Sequence, residues 1–348
     1  MMDPIALSSL SDTKGQLLSI FGVDVGNHDT KSRHSTFVSG FDKSMVVNNL
    51  SKEYLEFQNA DEKTFYTSMT TPFNYSLDKT KTEDMFILTL MSIAKEAIAR
   101  RITLCNGENI VLAIGMPPGM FNAANISSYE KYYKDRSQNI SFSYLGVPFR
   151  FNIKRIAVSA QCWGTVVGYS HLAVPLNEVY IFDIGGITID TFRLRKGVIV
   201  DGSIDSYEEG VNKMFAIITK TLRQETGIRF KPEDIKNALM GKENLPNSQV
   251  QRIKDMSYAW TRDIFTKMLT EGAEFRITPV ITCGGGSLLL DDEITRVADE
   301  LNFFKKLSIK DNKANAIGYE IIAAKGLLKL SKEEIVDFWS QYDHELAS

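Results

Sequence analysis

The sequence predicts an α/β fold built from two related domains, and three observations carry that prediction. Two apolar runs, residues 17–25 and 178–182, each deliver an Asp-x-Gly turn that is followed by more β-type residues. A third apolar run, beginning at Ile281, breaks on the consecutive glycines Gly284, Gly285 and Gly286. Between these turns lie stretches whose apolar residues recur at helical spacing, so strands alternate with helices along most of the chain.

Taken in order, residues 17–25 and 35–38 read as two strands joined by a polar turn that holds Asp24, Gly26, Asn27 and Lys31. Residues 40–81 are polar, aromatic and irregular, which suits a small subdomain inserted at the edge of a larger domain. In residues 83–101 apolar side chains fall at Phe86, Leu90, Ile93, Ala97 and Ile98, one face of a helix, with Glu83 and Asp84 in its first turn and Arg100 and Arg101 in its last. Residues 109–114 form a compact apolar strand halted by Gly115, Pro117, Pro118 and Gly119. Two more strands, 140–145 and 147–158, lead into a helix over 160–169 and then into the strand 178–182. The first plan then repeats: a glycine-rich turn over 183–190, strands at 191–194 and 198–200, and a helix over 211–225. The expected organisation is a flexible N-terminus (1–16), a first domain (17–172 plus 311–340, with the insertion at about 40–81), a second domain (173–310) and a tail (341–348).

Composition narrows the function classes. The chain has 348 residues, 43% hydrophobic and 24% charged, which is material for about two ordinary soluble domains. A net charge of −3 leaves no large positive field for a phosphate backbone, so direct nucleic-acid binding has little support and any link to DNA needs an adaptor. The three cysteines, Cys105, Cys162 and Cys283, are scattered and form no CxxC pair, which argues against a disulfide framework or a structural zinc site and for a cytoplasmic protein. The N-terminal residues lack the basic start and apolar core of a signal peptide. No stretch reaches the roughly 18 apolar residues of a membrane span, so no membrane partner is expected.

Three segments carry candidate chemistry. In GVDVGNHDTK, residues 22–31, a strand presents Asp24 and turns on Gly26 and Asn27, exposing backbone N–H groups that can cradle phosphate oxygens. Asp24 can reach a Mg2+ through its waters, and Lys31 would neutralise phosphate charge. FDIGGITID, residues 182–190, repeats the arrangement with Asp183, Gly185 and Gly186, adds Thr188 as a phosphate ligand, and offers Asp190 to order water near the metal. In ITCGGGSLLL, residues 281–290, the glycines and Ser287 let a flat group lie directly on backbone. Each segment, taken alone, also fits an ordinary glycine turn or loop.

Together, their order resembles the actin, sugar-kinase and chaperone ATPase superfamily from about residue 20 to residue 330. The resemblance implies an actin-like fold: two related RNase H-like domains facing each other around a central nucleotide cleft, with the two Asp-x-Gly hairpins on the phosphates and metal and the late glycines on the adenosine. KRIAVSAQCWG, residues 154–164, is similar to the family's first connecting segment, which would give Gln161 the task of orienting the attacking water at the start of an interdomain helix. Many plasmid-partitioning relatives carry Glu at that position; a neutral amide can position water but cannot accept its proton. ANAIGY, residues 314–319, resembles the second connection, where small residues let helices pack closely.

Within the superfamily the chain looks most like the ParM group of plasmid-partitioning proteins and their phage and archaeal relatives. That likeness implies a filament-forming ATPase with ATP (GTP being the alternative) and Mg2+ as cofactors, whose partners are further copies of itself and a DNA-binding adaptor. Two other readings stay open: a monomeric phosphotransferase of the same fold acting on a small metabolite, and an ATP-dependent adaptor that does not polymerise.

Overall fold

A computed structural model describes residues 10–11, 17–46, 53–59, 62–73, 79–173, 175–242 and 245–328. The expected tail (341–348), and all of the expected flexible N-terminus except residues 10–11, lie outside the described residues. The chain divides into two compact units, one reaching to Tyr169 and resuming at Lys313, the other running from Ser170 to Asn312.

The first unit is built on a ten-stranded sheet. Its strands are β1 (Leu10–Ser11), β2 (Leu17–Val25), β3 (Asp29–Lys31), β4 (Thr36–Val38), β5 (Phe41–Ser44), β6 (Tyr54–Asn59), β7 (Glu62–Ser68), β8 (Glu108–Met116), β9 (Ile140–Tyr144) and β10 (Val147–Ala160). They lie in the order β4-β3-β2-β8-β10-β9-β6-β7-β5, with β1 paired to β2. Residues 40–81, expected as a small subdomain inserted at the edge of a larger domain, contribute β5, β6 and β7 to one edge of this sheet, where Phe41, Leu55, Phe65 and Tyr66 are buried. Successive strand residues point to opposite faces, so Tyr66 lies opposite Leu55 on one face while Phe65 is buried on the other. Strand β8 runs on through Gly115 and stops only at Pro117, because Gly115 closes against the Tyr319 ring, a contact that no larger residue would allow.

Helix α1 (Asp84–Ala99) packs on this sheet together with α2 (Ala123–Lys134). The sequence marked one apolar face on α1, yet Ile87, Leu88, Met91 and Ala94 are buried as well as Phe86, Leu90, Ile93 and Ala97, so the helix is covered nearly all round. Ile98, assigned to the buried face, is instead 46% exposed. The helix ends two residues earlier than expected, with Arg100 as its C-cap and Arg101 in the left-handed region.

The helix expected over 160–169 is shorter, α3 (Trp163–Gly168). Cys162 precedes it with φ +64, a left-handed kink that separates strand β10 from the helix. Gln161 therefore sits in that turn and not on the helix.

The second unit opens with α4 (Ser170–Ala173) and holds a six-stranded sheet. Strands β11 (Glu178–Ile184), β12 (Ile189–Arg195), β13 (Val198–Ile199) and β14 (Asp205–Tyr207) come first, followed by helices α5 (Val211–Thr226), α6 (Pro232–Leu239) and α7 (Asn247–Thr270). Strand β15 (Val280–Cys283), helices α8 (Gly284–Leu289) and α9 (Asp291–Glu300) and strand β16 (Lys306–Ser308) complete the unit, with sheet order β13-β12-β11-β15-β16. Its core stacks Phe182, Phe265, Phe275 and Phe303 edge to face beneath the sheet.

Both units share one central plan. In each an antiparallel hairpin (β2–β3, β11–β12) is joined on its first strand by a parallel neighbour (β8, β15) and then by a second parallel strand (β10, β16). The Asp-x-Gly turns occupy equivalent places, at the carboxyl end of the central strand, where open α/β sheets present binding groups.

The chain returns to the first unit as α10 (Ala314–Leu328), which packs on α3. A Cβ on Gly318 would lie 1.7 Å from the Gly164 carbonyl oxygen, so the two helices touch backbone to backbone. The small residues of 314–319 do serve close helix packing.

Candidate functional site

In the first unit, the hairpin register sets Asp24 opposite Lys31. Asp24 is 3% exposed, Lys31 Nζ lies 3.8 Å from its Oδ2, and the Gln161 side-chain amide donates to its Oδ1 at 3.1 Å. The turn is tight: Gly26 N–H donates to the Asp29 carbonyl at 3.1 Å, and a Cβ on Gly26 would meet that same oxygen at 2.6 Å. Ser39 Oγ holds the outer side by donating to the Gly26 carbonyl at 2.8 Å. Asn27 stays at the surface of the turn, beside a cavity of about 60 Å³ that Val25, Gly26, Asn27, Lys79 and Asp84 help to line.

Gln161 is fixed from both sides. Its N–H donates to Met116 O at 2.8 Å, and Trp163 N–H donates to its carbonyl at 2.7 Å. Below the turn, a second space of about 10 Å³, the size of one water, is lined by Gln161, Lys79, Gly115, Tyr129 and Tyr133.

Lys79 is a component that sequence reasoning missed. It lies on a single 3-10 turn (Lys79–Lys81), and its ammonium donates to the Val25 carbonyl, directly before Gly26. Burial pushes the Lys79 ammonium down to about 8; Asp24 opposes that shift and Lys31 adds to it. No periodicity or glycine motif marks residue 79, and the available signal was only the close pair Lys79 and Lys81 in a polar segment.

In the second unit Asp183 and Asp190 are strand partners, 9% and 5% exposed. The turn between them is tied to the start of α5: Val211 N–H donates to Gly185 O at 3.1 Å and Asn212 N–H to Gly186 O at 2.8 Å. Asp190 accepts hydrogen bonds from Thr188 Oγ1 at 3.2 Å and from Ser206 Oγ at 2.6 Å. Burial still pushes its carboxyl up to about 6, the Asp183 charge adding to the rise and the two hydroxyls opposing it. Ser206 and Asn212 are further residues the sequence did not single out.

The three late glycines form the first turn of α8 instead of a loop before it. Gly284 has φ +88, and a Cβ there would meet Asp183 Oδ1 at 2.1 Å, so the glycine is what lets Asp183 and the helix start share one place. A Cβ on Gly286 would strike Ile184, whereas Gly285 faces open space. Ser287 is buried and its hydroxyl donates to the Cys283 carbonyl, which leaves it outside the open part of the site. The second unit thus gathers Asp183, Gly185, Gly186, Thr188, Asp190, Gly284 and Gly285 on one patch.

Among the described residues no three or more His, Cys, Asp or Glu cluster as a metal cage, and no helix is long and apolar enough to cross a membrane. A cation here would keep most of its waters, as Mg2+ commonly does.

Comparison with known proteins bears on the fold. Residues 181–296 match the family model of the archaeal actin homologue MreB-like, C-terminal domain. No curated protein sequence matches the chain. Among solved structures, Ta0583, an archaeal actin homologue, superposes with a TM-score of 0.67 at 19% identity over 88% of this chain and 99% of that one; it has also been solved in complex with ADP. The apo pSK41 ParM protein gives 0.64 at 17% over 91% and 98%, and the Alp12 filament structure 0.62 at 14% over 88% and 98%. At such identities the structural likeness is one of fold. The chain therefore has an actin-like fold, with archaeal actin homologues and ParM-type proteins as structural neighbours, and its residues 181–296 carry the likeness to the archaeal family model.

Proposed function

We propose that the chain is a nucleotide-dependent actin-like ATPase that assembles into filaments in the cytoplasm and drives segregation of plasmid or other DNA through a separate DNA-binding adaptor. The observation that carries this reading is the recurrence of one device. In each unit a nearly buried aspartate ends the central strand beside a glycine turn. The residues present fit a nucleotide. Gly26 has no room for a side chain, Gly284 lies under Asp183, and Gly285 is open, so backbone rather than side chain would meet the ligand.

In this reading Gly26 and Gly185, whose own N–H groups close the hairpins, let phosphate oxygens approach the backbone, Asn27 and Gly186 offer backbone N–H groups, Thr188 adds a hydroxyl and Lys31 a charge. Asp24 and Asp183 would hold a hydrated Mg2+ through its waters, Asp190 would order water nearby, and Gly284, Gly285 and Gly286 would receive the nucleoside. Bound ATP would supply the terminal phosphate that is passed to water. Support comes also from the neighbours: Ta0583 is known with ADP, and Alp12 as a filament.

The test is phosphate release and pelleting followed on one sample with Mg-ATP or Mg-GTP and no added acceptor. Both signals are expected with at least one nucleotide. Pelleting without phosphate release would remove the ATPase half of the reading, and phosphate release without pelleting would remove the filament half.

A further inference from the structure

The hairpin of the first unit has two lysines near one carboxylate. Lys31 is already engaged with Asp24. The Lys79 ammonium feels the same carboxylate, yet its hydrogen bond goes to a backbone carbonyl. An ammonium carries three donors, and among the described residues only Val25 O accepts one of them. Lys79 also lines both spaces of the unit: the larger one beside Gly26 and Asn27, and the water-sized one beside Gln161. Among the described residues the charged and titratable groups around it are Asp24 on β2, Lys31 on β3, Asp84 on α1, and Tyr129 and Tyr133 on α2. Asp84 already accepts the Thr82 hydroxyl at 2.8 Å. Tyr133 is held neutral by burial and bonded to Thr89. Keeping a second cation poorly solvated next to the first costs free energy, and an incoming anion would recover that cost.

We infer that Lys79 is a second phosphate-directed cation of the first unit, placing its free donors on the same anionic group that Lys31 neutralises. The inference rests on the nucleotide-binding reading above and deepens it. A purely structural Lys79 would only tie residues 79–81 to the hairpin through Val25; a phosphate-directed one must distinguish ligands by charge.

The experiment is equilibrium binding of Mg-ADP and of adenosine to the full chain, by calorimetry, for the wild type and for Lys79→Met, Lys79→Gln and Lys79→Arg, with circular dichroism as the check on folding. Lys79→Met and Lys79→Gln should weaken ADP about ten- to a hundredfold, the loss of one charge-assisted hydrogen bond, and leave adenosine within about twofold. Lys79→Arg should recover most of the ADP affinity. An ADP affinity unchanged in the neutral variants, or an equal loss for ADP and adenosine, overturns the inference while leaving the nucleotide reading intact. A wild type that binds neither ligand sinks that reading and this inference with it. If the neutral variants do not fold, acetylation of the wild type decides: ADP should slow modification of Lys79 severalfold and leave exposed Lys43 unaffected. An unchanged Lys79 rate, zero included, overturns the inference.

Discussion

Asp183 and Asp190 face each other directly across the β11–β12 hairpin, two nearly buried carboxylates where the matching pair of the first unit is Asp24 and Lys31. The first hairpin is balanced by its own lysine, and the second carries like charges.

The first prediction follows from the Asp190 carboxyl, raised to about 6 by burial first and by Asp183 as well. The folded protein holds that proton more tightly than the unfolded chain, so ionisation works against folding as pH rises from about 4 and the penalty is complete above about 6. In metal-free protein, Asp190→Asn should gain stability relative to wild type by about 1 kcal/mol between pH 5 and pH 7, by the same linkage. Urea unfolding at the two pH values measures it. A difference that stays constant would show that Asp190 ionises in the fold as it does in water.

Glu96 gives the opposite sign. It is fully buried on α1, where burial alone would raise its pKa, but His34, Arg100 and Ser32 hold it down to about 2. Its Oε2 accepts from Ser32 Oγ at 2.6 Å and from His34 N–H at 2.9 Å, while Oε1 meets the His34 ring at 2.6 Å and the Arg100 guanidinium. Arg100 continues to Glu320 on α10, which accepts the Gly22 N–H at 3.0 Å, so this chain of charges anchors the strand that delivers Asp24. The stabilisation is fully present above the unfolded pKa near 4.5 and is lost as pH falls through about 2. Glu96→Gln should cost about 3 kcal/mol at pH 7, and the cost should shrink as the medium is acidified below pH 4. Chemical denaturation at pH 7 and pH 3 would show it, and an equal cost at both would mean that shape and not charge is what Glu96 contributes.

Two glycines of α10 should respond in opposite directions to one substitution. Gly318 touches the Gly164 backbone, so Gly318→Ala forces α3 and α10 apart and should cost about 2–3 kcal/mol or more. A Cβ on Gly326 meets nothing within 4 Å, so Gly326→Ala should gain about 0.5–1 kcal/mol from helix propensity. Thermal unfolding midpoints suffice as the readout. A shift of the same sign in both variants would refute the packing argument.

The legible parts of this protein were those in which one residue type answers one local demand. Asp24 and Asp183 follow apolar runs of strand length and precede glycines, so their places at strand ends could be read directly, as could the close packing of residues 314–319. What stayed hidden depends on distant partners. Nothing local marks Cys162 as left-handed, because it is neither Gly nor Asn, and so Gln161 read as helical. Helix α1 read as amphipathic because its second face is apolar too, and only the sheet and α2 decide that both are covered. Lys79 is polar within a polar segment, and its meaning comes entirely from Val25 and Asp24.

The last prediction concerns Gln161, whose amide donates to Asp24 from a turn fixed to Met116. With the amide nitrogen on Asp24, the amide oxygen is the group left to accept a hydrogen bond from a water; a neutral amide can orient that water but cannot take its proton. A polymerising ATPase needs hydrolysis to lag behind subunit addition, so a residue that positions water without activating it suits a timer. Gln161→Ala should still bind nucleotide and still pellet, because Lys31 and the glycine turns remain, but it should release phosphate about tenfold to a thousandfold more slowly and give longer-lived filaments. Gln161→Glu is the sharper variant. It places a second carboxylate within hydrogen-bonding distance of Asp24, where the two cannot both ionise cheaply, so one should stay protonated at neutral pH and phosphate release should climb with pH more steeply than in the wild type. Phosphate release and pelleting at several pH values, on wild type and both variants, make the comparison. Wild-type rates in Gln161→Ala would move the water-orienting role to Asp190, and a pH profile in Gln161→Glu parallel to the wild type would show that the Gln161–Asp24 contact does not persist in the working protein.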